Sequence, residues 1–85
     1  MERHLKGVSN HHRIDILFLV EKIENITLDE ISDNLKLNVK TASEHTRRLV
    51  SAGLVVKKYR GRNVEHFLSP YGKIFIRFLK TFQYS

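Results

Sequence analysis

The sequence contains no cysteine, no tryptophan and only one proline among its 85 residues. Without cysteine, the chain cannot form disulfide bonds, thiolate metal sites or a thiol nucleophile. No apolar run approaches the ~20 residues that a membrane-spanning helix needs. The opening residues MERHLKGV also lack the apolar segment of a signal peptide. We therefore expect a soluble, intracellular protein with no membrane partner.

Internal repeats and low-complexity linkers are missing as well. We expect residues 1–85 to form one domain, because domains have roughly 50–250 residues and this chain has room for only one. Hydrophobic residues make up 41% of the chain, which is enough for a small core and argues against disorder.

Acidic residues are scarce in the middle of the chain. Residues 1–35 carry four basic and seven acidic side chains, whereas residues 36–62 carry eight basic side chains against Glu44 alone, a net charge of +7. A concentrated positive segment is typical of a nucleic-acid-binding surface. A solvated basic surface without a ligand would give the same count, so the local structure has to distinguish the two.

The first predicted helix covers residues 12–24 and is apolar on two faces. Ile14, Leu17 and Phe18 form one face at helical spacing. The second face consists of Ile16, Leu19, Val20 and Ile23. A helix that is apolar on both sides is buried on both sides, so the second face needs either more core or a partner.

The next two predicted helices form a helix-turn-helix. Residues 26–35 begin with a capping box, in which Thr27 is the N-cap and Glu30 follows three residues later. A turn of about three residues leads to a helix from about Val39 to Ala52, with Asn38 as its N-cap. Two helices joined by so short a turn are typical of this motif.

A charged β-hairpin follows directly. Residues 54–59 and 64–68 are β-prone, and the four residues between them, Arg-Gly-Arg-Asn, favour a turn. Such a hairpin after a helix-turn-helix is the wing of a winged helix, and arginines at its tip can reach phosphates or a narrow minor groove. The alternative is that these charges only protect an edge strand from aggregation.

The polar side of the third helix can enter a major groove and contact base edges. The predicted DNA-binding residues are Lys36, Lys40, Thr41, Ser43, Glu44, His45, Arg47, Arg48, Lys57, Lys58, Arg60, Arg62 and Asn63. For His45, a position flanking the helix is the alternative to a position facing DNA.

The final predicted helix starts at Ser69 and Pro70, an N-cap followed by a proline at the first helical position. Its apolar residues recur with a helical period and exceed what one small body needs, so we expect a homodimer. The predicted dimer interface consists of Ile16, Leu19, Val20, Ile23, Phe75, Ile76, Phe78, Leu79 and Phe82. The alternative is that these side chains pack the first helix against the last within one chain.

Three segments resemble motifs of the ArsR-like winged-helix regulators. They are LKGVSNHHRIDIL at residues 5–17, LNVKTASEHTRRLVSAGLV at residues 37–55 and YRGRNVEHFL at residues 59–68. The matching positions in the second segment are Thr41, Ser43, His45, Leu49, Gly53, Leu54 and Val55. The resemblance implies a mainly α fold with a small β-hairpin, in the order helix, helix-turn-helix, two-stranded wing and C-terminal helix. A MarR-like regulator is the alternative within the same fold.

The departures from the family pattern also carry information. His11 stands where the family has proline, and Asn38 stands where it has serine. Thr46 stands where the family usually has leucine, so the core contains less apolar volume at this position. Metal-sensing members use cysteine or sets of His, Asp and Glu on their helices. This chain has no cysteine and no His, Asp or Glu in its last helix, so we expect neither a metal nor another cofactor.

The resemblance implies a cytoplasmic, nucleoid-associated transcriptional regulator, most often a repressor, with double-stranded DNA as its partner. We expect sequence-specific DNA binding by a homodimer. A winged-helix protein-interaction module and a non-specific chromatin or RNA binder are the alternatives. An enzyme is not expected, because the sequence shows no pattern that would combine a nucleophile, a base and an orienting group in one catalytic site.

Overall fold

The computed structural model describes the backbone of residues 2–83 and the side chains of residues 11–82. The elements within this part are α1 (Glu2–Lys22), β1 (Ile26–Thr27), α2 (Leu28–Leu35), α3 (Val39–Ser51), β2 (Val55–Arg60), β3 (Asn63–Leu68) and α4 (Pro70–Gln83). The winged helix-turn-helix predicted from the sequence is confirmed. None of the described helices is both long enough and apolar enough to cross a membrane.

The first helix starts earlier than predicted and ends two residues sooner, at Lys22 instead of residue 24. Its end is followed by Asn25, whose φ of 70° lies in the left-handed region. An α-helix of L-residues does not continue through that conformation, and asparagine is one of the few residues that adopt it readily.

A strand at Ile26–Thr27 was not predicted, because these two residues were assigned to the start of the second helix. They pair with β3 in an antiparallel register, Ile26 opposite His66 and Thr27 opposite Glu65, so the sheet order is β1-β3-β2. Thr27 is nevertheless the N-cap of α2, with φ −92° and ψ 167°. Since an N-cap residue has an extended backbone, Thr27 can cap a helix and end a strand at once.

The caps of the helix-turn-helix agree with the sequence. The backbone N–H of Thr27 donates to Glu30 Oε1 at 2.9 Å, and the backbone N–H of Glu30 donates to Thr27 Oγ1 at 3.3 Å, which completes the capping box. Asn38 Oδ1 accepts from the backbone N–H of Lys40 at 2.8 Å. Lys36, at φ 54°, ends α2 and lets the chain reverse before α3.

The hairpin turn is tighter than predicted. Arg60 and Asn63 were assigned to a four-residue turn, but they pair with each other as the last residues of β2 and the first of β3. Only Gly61 and Arg62 remain in the turn. Gly61 has φ 62°, and a glycine at the first central position with positive φ is typical of a two-residue hairpin turn.

The core lies between α1, the helix-turn-helix and the sheet. Its buried hydrophobic residues are Ile16, Leu17, Val20, Ile26, Ile31, Ala42, Leu49, Leu54, Val55 and Ile76. The assignment of Ile16, Val20 and Ile76 to a dimer interface is therefore wrong. Each is at most 1% exposed within one chain, because both apolar faces of α1 and the inner side of α4 belong to the same core.

The start of α4 is held against the end of α3. Ser69 Oγ accepts from the backbone N–H of Gly72 at 2.8 Å and donates to the carbonyl of Gly53 at 2.5 Å. The backbone N–H of Ser69 also donates to the carbonyl of Leu54 at 3.0 Å. A side chain at Gly72 would overlap with this same Leu54 carbonyl, so the close approach depends on glycine.

Replacing Gly72 by alanine should destabilise the protein. Alanine gains roughly 0.5–1 kcal/mol over glycine in an unconstrained helix, but overpacking against the Leu54 backbone costs about 1–3 kcal/mol. We expect a lower urea midpoint for Gly72→Ala with an unchanged denaturant slope. Lys73→Ala, an exposed change on the next residue, is the control. A Gly72→Ala protein as stable as the wild type would contradict this account of the contact.

Candidate nucleic-acid interface

Helix α3 divides into a buried and an exposed side. Ala42, Thr46 and Leu49 face the core. The predicted contact residues on the exposed side are Lys40, Ser43, Glu44, Arg47 and Arg48, while Thr41 is half-buried. The side that faces solvent therefore carries hydroxyl groups and charges, which can form hydrogen bonds with bases and phosphates.

The single acid of this surface is paired along the helix. Arg48 Nη2 lies 3.6 Å from Glu44 Oε1, one helical turn away. Both side chains are more than half exposed, so the pair is worth only about 0.3–0.5 kcal/mol. The Glu44 carboxylate therefore pairs with Arg48 and not with Arg47.

The wing (β2 and β3) adds basic side chains on two different faces. Lys57 pairs with the buried His66 across the strands, and its side chain lies on the side of α3. Lys58 is the next residue and points the other way, because strand side chains alternate. Its Nζ lies 5.0 Å from the centre of the Phe67 ring, in a cation–π contact. Both lysines were predicted to bind DNA, and the structure places them on opposite faces of the wing.

A cleft lies between α3 and the wing. We call it the α3–wing cleft. Its lining residues are Thr27, Leu28, Asp29, Ser43, Thr46, Arg47, Lys57, Arg62, Asn63, Val64 and His66. Five of these residues, Ser43, Arg47, Lys57, Arg62 and Asn63, were predicted contacts from two separate parts of the sequence, and the structure brings them together. Thr46 was not among them; its only signal was the hydroxyl at a position where leucine was expected.

Eight of the predicted residues do not line this cleft, and three of these, besides Lys58, lie away from the exposed side of α3 as well. Lys36 occupies the exposed turn between α2 and α3, and Arg60 is exposed at the end of β2. His45 is half-buried and packs towards α1, with its ring centre 5.7 Å from that of His12. Of the two positions considered for His45, the structure supports the one flanking the helix, not the one facing DNA.

The surroundings of His45 favour the neutral imidazole. Burial lowers the pKa of His45 below its ordinary value of 6.5, and the positive charges of Arg13 and His12 lower it further. Glu44 opposes this effect and Arg48 adds to it. Nδ1 of His45 is buried and has no hydrogen-bond partner within the described part of the protein.

The described side chains include no group of three or more His, Asp or Glu that could hold a metal ion. His11 is instead in contact with Asp15 on the same helix, at 3.2 Å between Nε2 and Oδ2.

The fold and the geometry of the α3–wing cleft define the class of winged helix-turn-helix proteins. The sequence profile of the bacterial regulatory protein family ArsR matches residues 10–57, which is more than half of the chain. The chain therefore belongs to the ArsR family, and the resemblance noted in the sequence is confirmed.

Three solved structures illustrate the likeness of fold. Reduced HlyU from Vibrio cholerae is 28% identical, with a TM-score of 0.75 over 95% of this chain and 85% of that one. The homodimeric winged helix-turn-helix DNA-binding domain of Mb0332 from Mycobacterium bovis is 24% identical, with a TM-score of 0.76 over 92% of this chain and 73% of that one. FabT from Streptococcus pneumoniae, in complex with DNA, is 19% identical, with a TM-score of 0.77 over 84% of this chain.

The chain spans about half the length of FabT, 52%, and the same share of a MarR regulator from Methanosarcina mazei. No match was found among curated proteins.

The surroundings of His45 predict a pH dependence of stability. Because the folded protein disfavours the charged imidazole, the unfolded chain binds more protons. The free energy of unfolding should therefore fall as pH drops through 6.5 and level off below the folded-state pKa. His45→Gln should remove this part of the dependence. Urea midpoints from about pH 8 to about pH 5 measure it, and parallel curves for the wild type and the variant would contradict it.

Proposed function

We propose that this chain binds double-stranded DNA sequence-specifically as a homodimer and represses transcription. The observation that carries the proposal is the α3–wing cleft, where the exposed polar side of α3 and the wing cations converge on one surface. Membership in the ArsR family supports a regulatory role. The FabT structure supports DNA as the ligand, because a protein of this fold was solved in complex with it.

Helix α3 has dimensions that suit a major groove. A helix with its side chains is about 10–12 Å across, and the groove is about 12 Å wide. Lys40, Ser43, Glu44 and Arg47 surround one shallow depression on its exposed side, and they supply both donors and acceptors to base edges. The proposed reading of sequence therefore lies with these four residues, in the N-terminal two-thirds of α3.

The surrounding cations are proposed to contact phosphates. They are Lys36, Arg48, Lys57, Arg60 and Arg62, all of them exposed. Phosphate contacts position a protein on DNA and add affinity without reading the sequence. A non-specific binder would need only these contacts, so the polar side chains of α3 are what distinguishes the proposal from that alternative.

The proposed dimer interface is the outer stripe of α4. Tyr71, Ile74, Phe78 and Phe82 recur at helical spacing and are each at least 55% exposed. Of these, Phe78 and Phe82 were predicted from the sequence. The predicted Leu19, Ile23 and Phe75 pack partly against the core and can only border such an interface. An apolar stripe of this size favours association, and the Mb0332 domain of the same fold is homodimeric.

A two-fold dimer would place two copies of α3 on one side of a duplex. Half-sites one helical turn apart, about 34–36 Å, would then form a palindromic operator. The dimer and the sequence preference are therefore linked, and each has its own test.

The first test compares ligands and salt. DNA selected from a random library should bind more tightly than random duplex or RNA, and affinity should fall steeply with salt. Arg62→Gln should weaken all duplexes alike and reduce the salt slope by about 0.9. Ser43→Ala should change the preference at one or two base pairs by about 1–3 kcal/mol. Arg77→Gln, which removes a charge from α4, is the control. Equal binding of selected DNA, random duplex and RNA would contradict the proposal.

The second test concerns assembly. Phe78→Glu introduces a charge into the exposed stripe, so it should reduce dimerisation and operator affinity together without unfolding the chain. Sedimentation equilibrium should give twice the 10.0 kDa of the chain for the wild type and for the control Lys73→Glu, but not for Phe78→Glu. A wild-type protein that is monomeric and still binds its operator fully would contradict the dimer.

A further inference from the structure

Val39 is an exposed hydrophobic residue at the first position of α3. Its side chain is 49% exposed, although the helix buries Ala42, Thr46 and Leu49 one to three turns further on. Among the described residues, Leu37 before the N-cap packs partly against the core, whereas Val39 does not. The fold therefore leaves apolar surface of this side chain open to a molecule outside the chain.

Formation of the helix does not explain a valine at this position. The β-branch of valine restricts χ1 in a helix, so valine is a poorer helix former than alanine or lysine. The N-cap of α3 is Asn38, whose Oδ1 accepts from the backbone N–H of Lys40, so Val39 supplies no cap. Single hydrophobic side chains are common on protein surfaces, and it is the location of Val39 that gives its exposure a meaning.

Val39 lies beside the residues that are proposed to read bases. Ser43 follows four residues later, and residues four apart lie one above the other on the same face of a helix. Lys40 is the next residue, and both Lys40 and Ser43 border the shallow depression on the exposed side of α3. In a helix-turn-helix, the N-terminal residues of the second helix contact base edges. Val39 is the first of these residues.

Thymine is the base that an apolar side chain recognises in the major groove. There it exposes a C5-methyl group, which is read by apolar contact, whereas the other groups at base edges are read by hydrogen bonds. Hydrogen-bond donors and acceptors come from the four proposed contacts Lys40, Ser43, Glu44 and Arg47. Val39 is the only exposed large hydrophobic residue of α3, all of whose residues the structure describes.

We propose that Val39 reads thymine through its C5-methyl group and so selects a T·A pair at one position of each half-site. This role rests on the proposed function, and it specifies one base that the operator contains. Val39 contributes no hydrogen bond to the base, so its effect comes from removing apolar surface from water. Burial of one methyl group corresponds to about fourfold in affinity, and a two-fold dimer makes the contact once in each half-site.

The experiment replaces thymine by uracil, one position at a time, in the duplex selected from a random library. Uracil lacks only the C5-methyl group, so its hydrogen-bonding groups in the major groove are unchanged. For the wild-type protein we expect one thymine in each half-site at which uracil weakens binding about fourfold. Changing both half-sites should weaken binding about sixteenfold, since distant sites act additively.

Val39→Ala should abolish most of this discrimination. The shorter side chain withdraws from the methyl group, so the effect of uracil at that position should fall below about twofold. The affinity of this variant for the thymine duplex should approach that of the wild type for the uracil duplex. Urea midpoints report on the fold: we expect Val39→Ala to be as stable as the wild type, because Val39 lies outside the core. A clearly lower midpoint would overturn the proposal, because Val39 would then pack within the chain.

Val56→Ala is the matched control, because it removes the same atoms from another exposed valine. Val56 is 39% exposed. It precedes Lys57 in β2, so its side chain lies on the face of the wing that is turned away from α3. This variant should retain the full effect of uracil at the position that Val39 reads.

Two results would overturn this role of Val39 and leave the proposed function standing. One is a selected duplex that binds specifically but tolerates uracil at every thymine. The other is an effect of uracil that is the same in Val39→Ala as in the wild type, because another side chain would then read the methyl group. A protein that prefers no selected duplex over random DNA would refute the proposed function itself, and the reading of thymine would fail with it.

Discussion

One buried pairing, Ile26 with His66, positions the wing relative to the helix-turn-helix. The two residues lie opposite each other in β1 and β3, and His66 Nδ1 donates to the Ile26 carbonyl at 2.9 Å. Because a carbonyl only accepts, Nδ1 must carry the proton. The bond is buried and joins residues 40 positions apart in the sequence. It attaches β3 directly to the residue that precedes the N-cap of α2.

The cleft between α3 and the wing depends on this pairing. The capping box at Thr27 sets where α2 begins, and the short turn before Asn38 sets how α3 crosses it. Strand β3 is tied to the first of these points, and β2 follows through its six paired residues. Lys57 and Arg62 consequently reach the same cleft as Arg47, although 10 to 15 positions separate them from it in the chain.

Thr46 is an exception to the apolar packing of α3 against the core. Every other residue on the inward side of α3 that the core encloses is apolar, Ala42 and Leu49. An apolar residue at position 46 would remove an unpaired hydroxyl and add to the stability. Natural sequences commonly retain such unfavourable groups where function requires them.

Local signals in the sequence sufficed for the caps of α2 and α3 and for the start of α4, but not for the ends of α1. Thr27 with Glu30, Asn38, and Ser69 with Pro70 act within three or four residues of the backbone groups that they satisfy, so their effect does not depend on distant parts of the chain. The exposed polar side of α3 was predictable for the same reason, since helical spacing alone separates Ser43 and Arg47 from Ala42 and Leu49.

Long-range packing decided the remaining features. The strand at Ile26–Thr27 exists because β3 is there to pair with it, and two residues carry too little pattern to predict it. Ile16, Val20 and Ile76 were predicted to meet a partner, but all three are buried in the core of one chain. The pattern of a helix shows which of its faces are apolar, but it does not show what covers each face. The cleft, its buried Thr46 and the separation of Lys57 from Lys58 likewise arise from how α3, α2 and the wing pack together. The sequence determines which side chains each element carries, but the packing of the elements decides which of these side chains lie together at one site.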